Sequence, residues 1–459
     1  MEKIFALLLL LYTSTTFSQN GTSEKFWIEL TDKKESPYSI EKPQEFLSPR
    51  AIERRLRQGI AIEETDLPVN PKYLSSLKKI GAKIHHTSKW LNATTVIADS
   101  ADILDIQKLP FVKKIVYVGE HLDQPNISLA SFYERDSILE YEKLESPYGH
   151  GQTQIEQLNG DRIHDLGHKG QGILIAILDG GFRYADKIPF FDSLHLQGKI
   201  IATKDFVDND LSVYESSSHG SKVLSVMGAN LPGLLVGTAP ESNYVCIKTE
   251  DVRAEYLVEE CNWIAGLEYA DSLGVDIANS SLGYTRFSDT IMNYSYQDLN
   301  GKVSRASRAA NIAFAKGMLI VCSAGNSGLD DWKHIGVPSD AAGVLAVGAN
   351  DKFRERANFS SLGPSSDGRI KPNVMAMGEQ ARVASVYSLR VTTSNGTSFS
   401  APIMAGMIAS LWSAFPGKTS QEIFQVIEKS GHQYDQPDNE MGYGIPDFMK
   451  AYELLKKSH

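Results

Sequence analysis

The stretch NGTSFSAP at residues 395–402 decides the fold, because it opens a long apolar helix pattern that reaches about Phe415. We predict a helix here, with Ser398 close to its beginning. Upstream, short and almost continuously apolar strands alternate with helical segments. This alternation is typical of a parallel sheet that is covered by helices on both faces. The predicted strands are residues 173–178, 244–247, 276–279, 318–322 and 344–347.

Candidate functional side chains fall where such sheets place their ligand sites, beyond the carboxyl ends of the strands. Asp179 directly follows strand 173–178, and Asn326 follows strand 318–322. His219 heads an apolar helix pattern, as Ser398 does. Taken singly, each residue has an ordinary explanation as a cap, a turn former or a hydrogen-bonded polar group.

Together, the four residue types are those that acyl transfer needs. A serine hydroxyl is a poor nucleophile until an imidazole takes its proton, and the imidazole needs a buried carboxylate to fix its tautomer. The developing oxyanion needs hydrogen-bond donors that are already in place, here the Asn326 amide and the backbone N–H of Ser398. The chain order Asp, His, Ser on a strand–helix pattern is one of the known orders for this chemistry.

With these motifs the sequence resembles the subtilisin-like serine peptidases, the subtilase family, from about residue 151 to residue 451. The resemblance rests on IAILD at 175–179, HGS at 219–221, SAGN at 323–326 and the NGTS stretch that continues to Pro402. It implies a triad of Asp179, His219 and Ser398, with Asn326 in the oxyanion hole. It also implies an α/β fold, a three-layer α/β/α sandwich with a mainly parallel central sheet.

The same resemblance suggests how substrate is held. It implies that Ser281, Leu282 and Gly283 pair with the substrate backbone as an added strand, a common way to bind extended peptides. It further implies that a second segment lines the pocket for the side chain before the scissile bond, namely Ser323, Ala324 and Gly325. The expected partners are therefore protein or peptide substrates.

The N-terminal region predicts export in a precursor form. Lys3, the apolar run at residues 4–12 and the small polar residues after it have the order of a signal peptide, which we assign to residues 1–18. The run is shorter than the roughly 20 residues that span a bilayer. A buried N-terminal helix is the alternative. No later charge-free stretch reaches spanning length, so we expect a protein that does not span the membrane and is periplasmic or extracellular.

Residues 19–120 predict a small α+β domain that precedes the sandwich. Exported subtilases commonly carry a propeptide of this kind, which assists folding and inhibits the enzyme, so the chain's own propeptide is an expected partner. Residues 121–150 are polar and acidic and suit a linker with the processing site, which leaves residues 151–459 as the catalytic domain. The predicted strands are 25–30, 83–91, 93–97 and 112–118, and the predicted helices are 49–58, 72–80 and 101–108.

Composition narrows the function further. The 459 residues include 46 basic and 56 acidic side chains and carry a net charge of −10, which argues against a nucleic-acid partner. The three cysteines show no disulfide or zinc spacing, and we interpret them as structural, although one disulfide stays open in an exported protein. The resemblance implies no cofactor for catalysis. Asp205, Asp208 and Asp210 offer calcium-type oxygens, but their ligand pattern is incomplete, so the sequence favours a solvated turn there and we assign no metal site.

The sequence therefore predicts a secreted zymogen of a serine endopeptidase that cleaves peptide bonds through an acyl-enzyme. The alternative is a catalytically silent subtilase-like scaffold that binds peptides or a partner, which fold alone does not exclude. An esterase of the α/β-hydrolase kind is disfavoured, because Ser400 stands where a Gly-x-Ser-x-Gly elbow needs its last glycine and the triad order differs.

Overall fold

The structure is a computed structural model that describes residues 23–122 and 143–457. The predicted signal peptide at 1–18 and most of the predicted linker at 121–150 lie outside the described residues. The described residues form two large sheets. One is a four-stranded sheet near the N-terminus, and the other is a seven-stranded sheet after residue 170.

The first sheet is antiparallel, in the order β2-β3-β1-β4, and belongs to a small α+β domain as the sequence predicted. All seven predicted elements are present. Gly81 ends the second helix with φ +129, a backbone conformation that favours glycine. The elements are β1 Glu24–Leu30, α1 Pro49–Arg57, α2 Pro71–Ile80, β2 Lys83–Ser88, β3 Ala93–Ala98, α3 Ser100–Ile106 and β4 Val112–Glu120.

The second sheet is wholly parallel, in the order β13-β12-β11-β10-β5-β9-β6. Its strands are β5 Leu174–Asp179, β6 Ile200–Asp205, β9 Asn243–Lys248, β10 Ile277–Ser280, β11 Leu319–Ser323, β12 Val344–Asn350 and β13 Val374–Met377. The five predicted strands are all there. The sequence missed the two edge strands, because β6 is only partly buried and lacks a continuous apolar run, and β13 has only four residues.

Helices cover both faces of this sheet, which makes the predicted three-layer sandwich. Along β5, Ile175 and Ile177 pack with α7 and α10, whereas Leu174, Ala176 and Leu178 pack with α8 and α9. The helices are α4 Gln152–Glu156, α5 Gly160–Asp165, α6 Asp192–Leu196, α7 His219–Gly228, α8 Val258–Leu273, α9 Arg305–Ala315, α10 Thr397–Ala414, α11 Ser420–Ser430 and α12 Phe448–Lys457. Two short hairpins complete the fold, β7 Asn230–Leu231 with β8 Leu235–Val236 and β14 Ala381–Ala384 with β15 Val391–Ser394.

The small domain docks onto α8 through buried charges. Asp271 near the end of α8 is fully buried and binds Arg54 at 2.5 Å, Arg55 at 2.8 Å and Lys89 at 3.2 Å. On the same helix, Glu268 accepts the backbone N–H groups of Lys89 and Trp90. Hydrogen bonds to buried ions are among the stronger ones in proteins, so these contacts make the interface specific.

The three cysteines belong to the buried core of the molecule. Cys246, Cys261 and Cys322 are all buried and free, so the disulfide left open by the sequence is not formed, and burial raises the pKa of Cys261 to about 11 and that of Cys322 to about 12. Thiols of this kind act as small apolar groups.

Within residues 23–122 and 143–457, no helix is both long enough and apolar enough to cross a membrane.

Candidate active site

Asp179 and His219 meet at the carboxyl end of β5. Asp179 is the last residue of the strand and is fully buried, while His219 is the first residue of α7 and keeps a third of its side chain exposed. Both carboxylate oxygens lie 2.9 Å from the His219 Nδ1, and Oδ1 also accepts the N–H of Gly180 at 2.8 Å. A carboxylate on Nδ1 fixes the proton there and leaves Nε2 as the basic nitrogen.

The charge state of His219 is set by two opposing effects. Burial by itself would lower the pKa of the imidazole, but the charge of Asp179 and its hydrogen bond outweigh burial, so the pKa of His219 is raised. Asp179 thus stabilises the protonated form of the ring.

Ser398 lies in the first turn of α10, where its backbone carbonyl lacks the usual donor within the helix. In a helix the carbonyl of residue 398 would accept the N–H of residue 402, but residue 402 is proline and has none. The hydroxyl of Ser281 donates to that carbonyl instead, at 2.8 Å. Ser398 shares a cleft with His219, and within the described part of the chain no hydrogen bond joins the two, which is common before substrate binds.

Asn326 is oriented by Thr397, the residue before Ser398. The Asn326 Oδ1 accepts the backbone N–H of Thr397 at 2.8 Å and its hydroxyl at 3.0 Å. Because the amide oxygen is engaged twice, the Nδ2 donor is the group left for the cleft. Thr397 lies inside the NGTS stretch, yet sequence reasoning did not assign it this orienting contact.

Gly396 keeps open the space between the serine and the asparagine. Its φ is +145, and a Cβ added there would lie 2.8 Å from the Ser398 Oγ and 3.5 Å from the Asn326 Nδ2. Only glycine leaves both atoms accessible at this point, which is where the charge of an oxyanion would develop.

The cleft contains all the predicted substrate residues and has a volume of about 360 Å³. Ser281, Leu282 and Gly283 follow β10 on one side, and Ser323, Ala324 and Gly325 follow β11 on the other. Sequence reasoning missed several further lining residues, which come from loops without a motif: Arg286, Asp330, Trp332, His334 and Gly336.

The acidic turn at the end of β6 is only in part the solvated turn that the sequence favoured, because Asp210 is exposed and Asp205 is not. Asp205 is buried, and the Lys248 Nζ lies 2.8 Å from both the Asp205 Oδ2 and the Asp208 Oδ2. The Asp210 carboxylate accepts the N–H of Ser212. An ammonium group from the neighbouring strand β9 already satisfies two of these carboxylates, so this turn has an internal counter-charge.

Comparisons with known proteins agree with this architecture. The model of the subtilase family matches residues 170–444, and that of the peptidase S8 propeptide domain of Bacteroidota matches residues 25–131. Subtilisin DY of Bacillus licheniformis is 29% identical over 60% of this chain and 88% of its own sequence, and subtilisin NAT of Bacillus subtilis subsp. natto is 25% identical over 76% and 78%.

A solved structure, MycP1 from the ESX-1 type VII secretion system, has a TM-score of 0.52 at 20% identity and covers 68% of this chain and 90% of its own. At that identity it supports the fold alone. The chain belongs to the subtilase family of serine endopeptidases and carries the propeptide domain of a zymogen. The family needs no cofactor for catalysis.

Proposed function

We propose that this chain is an active endopeptidase in which Ser398 is the nucleophile, His219 the general base and Asp179 the residue that orients the base. The observation that carries the proposal is the carboxylate–imidazole contact of Asp179 and His219 in a cleft that also contains Ser398. A charge-stabilised base that shares a cleft with a serine in the first turn of a helix favours activity over a silent scaffold.

The reaction would follow from the contacts described. His219 Nε2 takes the proton of Ser398 as the hydroxyl oxygen attacks the scissile carbonyl, and the charge of Asp179 stabilises the imidazolium. The oxyanion is held by the Asn326 Nδ2 and the backbone N–H of Ser398. His219 then protonates the leaving amine, and water releases the acyl group from Ser398.

Substrate binding would use the two loops that flank the cleft. Residues 281–283 provide backbone groups for an extended peptide, and residues 323–325 line the pocket for the side chain before the cleaved bond. Ser281 supports this proposal in a second way, because its hydroxyl links the substrate loop to the first turn of α10.

We further propose export and self-processing, with residues 1–18 as the signal peptide, 19–120 as the inhibitory and folding-assisting propeptide, a cut within 121–150 and 151–459 as the catalytic domain. The buried ion contacts of Asp271 support an inhibitory complex, since they hold the small domain on the enzyme. The destination would be the periplasm or the extracellular space.

The test is the intact mass of the purified precursor over time, beside its Ser398→Ala variant. We expect the parent to convert to a fragment of catalytic-domain size and the variant to stay whole, which would also locate the cut. In subtilisin, removal of the nucleophile lowers kcat by a factor of about 10⁶, so the variant should show no conversion on the time scale of the parent.

If neither protein converts, an added library of unfolded substrates distinguishes the alternatives. Cleavage by the parent after the propeptide is removed by another protease would preserve the catalytic proposal and reject self-processing. The absence of any cleavage by either protein would favour the silent scaffold.

A further inference from the structure

The general base and the nucleophile lie on different helices, and among the described residues no hydrogen bond links them. His219 begins α7, and Ser398 lies in the first turn of α10. His219 is held by Asp179 at Nδ1, and its backbone N–H donates to the Ser217 Oγ at 3.1 Å. Neither contact involves Nε2, the nitrogen that has to face the serine hydroxyl. A ring held at one nitrogen is still able to tilt about that contact, so a group outside the triad is needed to fix its orientation.

Phe399, the residue after the nucleophile, packs its ring against the imidazole of His219. The two ring centroids are 5.7 Å apart, and the ring planes meet at 48°. That separation is within the roughly 4.5–7 Å over which aromatic pairs attract each other beyond the burial of their surfaces. Phe399 is 4% exposed and belongs to the hydrophobic cluster that joins the sheet with α7 and α10. Because close packing holds the phenyl ring itself in place, the ring limits how far His219 tilts.

The helical turn that carries Ser398 also carries Phe399. The backbone N–H of Phe399 donates to the carbonyl of Gly396 at 3.0 Å, within the first turn of α10. The position of the base relative to the nucleophile is therefore set within one turn of a buried helix and not by a loop. Ser398 and His219 line the cleft of the described structure, whereas Phe399 is not part of that lining. The contacts that hold a substrate in this cleft therefore do not include Phe399.

We propose that Phe399 is a positioning residue for the general base and fixes the tilt of His219 so that Nε2 faces Ser398; this rests on the proposed function, because Phe399 acts through the same triad. The phenyl ring also affects the charge of its neighbour. His219 becomes a cation when it takes the serine proton, and an aromatic ring within about 6 Å stabilises a cation. The charged groups that act on His219 are Asp179, which favours the cation, and Lys222, which disfavours it.

The main test removes the flat ring and keeps the site apolar. Phe399→Leu does this, and Phe415→Leu is the matched control, because Phe415 at the end of α10 is also buried, at 7% exposed, and its ring packs against Tyr452. Conversion of the full precursor is followed by intact mass, and kcat and KM are then measured on an unfolded protein substrate. Since a misplacement of about 1 Å costs about 10²-fold, Phe399→Leu should lower kcat about 10–100-fold and leave KM within about threefold. The control should keep the parent's kcat.

The second measurement is independent of activity. In the precursor that carries Ser398→Ala, the histidine rings are isotope-labelled and titrated by NMR, and the His219 signal is identified by its loss in His219→Gln. Phe399→Leu should lower the pH at which His219 releases its proton, because the imidazolium loses its aromatic neighbour. Phe415→Leu should titrate as the parent does. A merely structural change would lower the melting temperature without moving this titration.

A kcat of Phe399→Leu equal to that of the parent, an unchanged titration of His219, or an equal loss of kcat in Phe415→Leu would overturn the proposal. If Phe399→Leu melts far below the parent, Phe399→Met takes its place, since methionine adapts to irregular core space, and the same outcomes apply. A parent that neither converts nor cleaves the substrate would reject the proposed function, while the NMR titration would still decide whether Phe399 acts on His219.

Discussion

Two fully buried carboxylates, Asp179 and Asp271, have opposite surroundings. Asp271 is surrounded by three cationic side chains from the small domain, and these lower its pKa although burial alone would raise it. Asp179 faces one imidazole, and a third of the His219 side chain remains exposed. A carboxylate saturated by permanent cations holds two domains together, whereas one that faces a single titratable ring leaves that ring able to gain and lose a proton.

The largest effect is expected at the saturated carboxylate. Asp271→Asn leaves Arg54, Arg55 and Lys89 without their shared anion in a buried interface, which costs about 3–5 kcal/mol when one partner of a buried pair is lost. The dissociation constant of the cleaved propeptide from the catalytic domain should rise at least 100-fold, a factor that corresponds to about 2.7 kcal/mol.

An exposed ion pair serves as the control for Asp271. Asp105 and Lys108 are 2.7 Å apart, with both side chains mostly exposed. Asp105→Asn should change the same dissociation constant by less than about fivefold, because exposed pairs contribute about 0–1 kcal/mol. If both substitutions raised the dissociation constant equally, burial would not be what distinguishes Asp271 from Asp105.

The next largest effect is expected for a substitution in the catalytic cleft. It should lower kcat and leave propeptide binding at the interface unchanged. Gly396→Ala places a methyl group 2.8 Å from the Ser398 Oγ, at a φ of +145 that other residues rarely adopt. We expect kcat on an unfolded protein substrate to fall about 10²–10³-fold, the usual cost of impairing an oxyanion hole. The control is Gly417→Ala, because a Cβ there meets no atom within 4 Å. A parallel loss of propeptide binding in Gly396→Ala would contradict the separation of the two regions.

A smaller effect is expected from the pH dependence of two buried histidines at the interface. His86 bonds to the carbonyl of Phe206, and His85 bonds to Asn209. Burial lowers the pKa of His86 to about 3, and it also lowers the pKa of His85, which in addition faces His86 and Lys25. Lys204 is a further charge near His86. The docked state therefore disfavours the protonated rings, so docking should weaken as the pH falls below about 6.5, the ordinary pKa of histidine.

For His86 alone, the propeptide dissociation constant should be about 30-fold larger at pH 5 than well above pH 6.5, since each pH unit contributes up to tenfold. The double variant His85→Gln/His86→Gln should lose most of this dependence. The control is His168→Gln, whose ring lies against Tyr452 of the catalytic domain. An unchanged pH profile in the double variant would assign the dependence to other groups.

Some features of this fold are encoded by neighbouring residues, and others depend on residues that are far apart along the chain. The strands β5, β9, β10, β11 and β12 were predicted because continuous apolar runs identify buried parallel strands without knowledge of their neighbours. The edge strand β6 was missed because it is only partly buried and lacks a continuous apolar run, whereas β13 was missed although its four residues are apolar and buried. The prediction of a solvated turn was wrong for Asp205, because Lys248 comes from a strand that only the sheet order places beside it.

The sequence by itself determined the fold class, the family and the residue types that carry the chemistry, because glycines, prolines and apolar periods act locally along the chain. Pro402 is one such determinant, since its missing N–H leaves the Ser398 carbonyl available wherever that helix packs. Only the tertiary structure decided which groups meet across the chain. Arg54 reaches Asp271 over 217 positions, because partners of buried charges are chosen by packing and not by spacing.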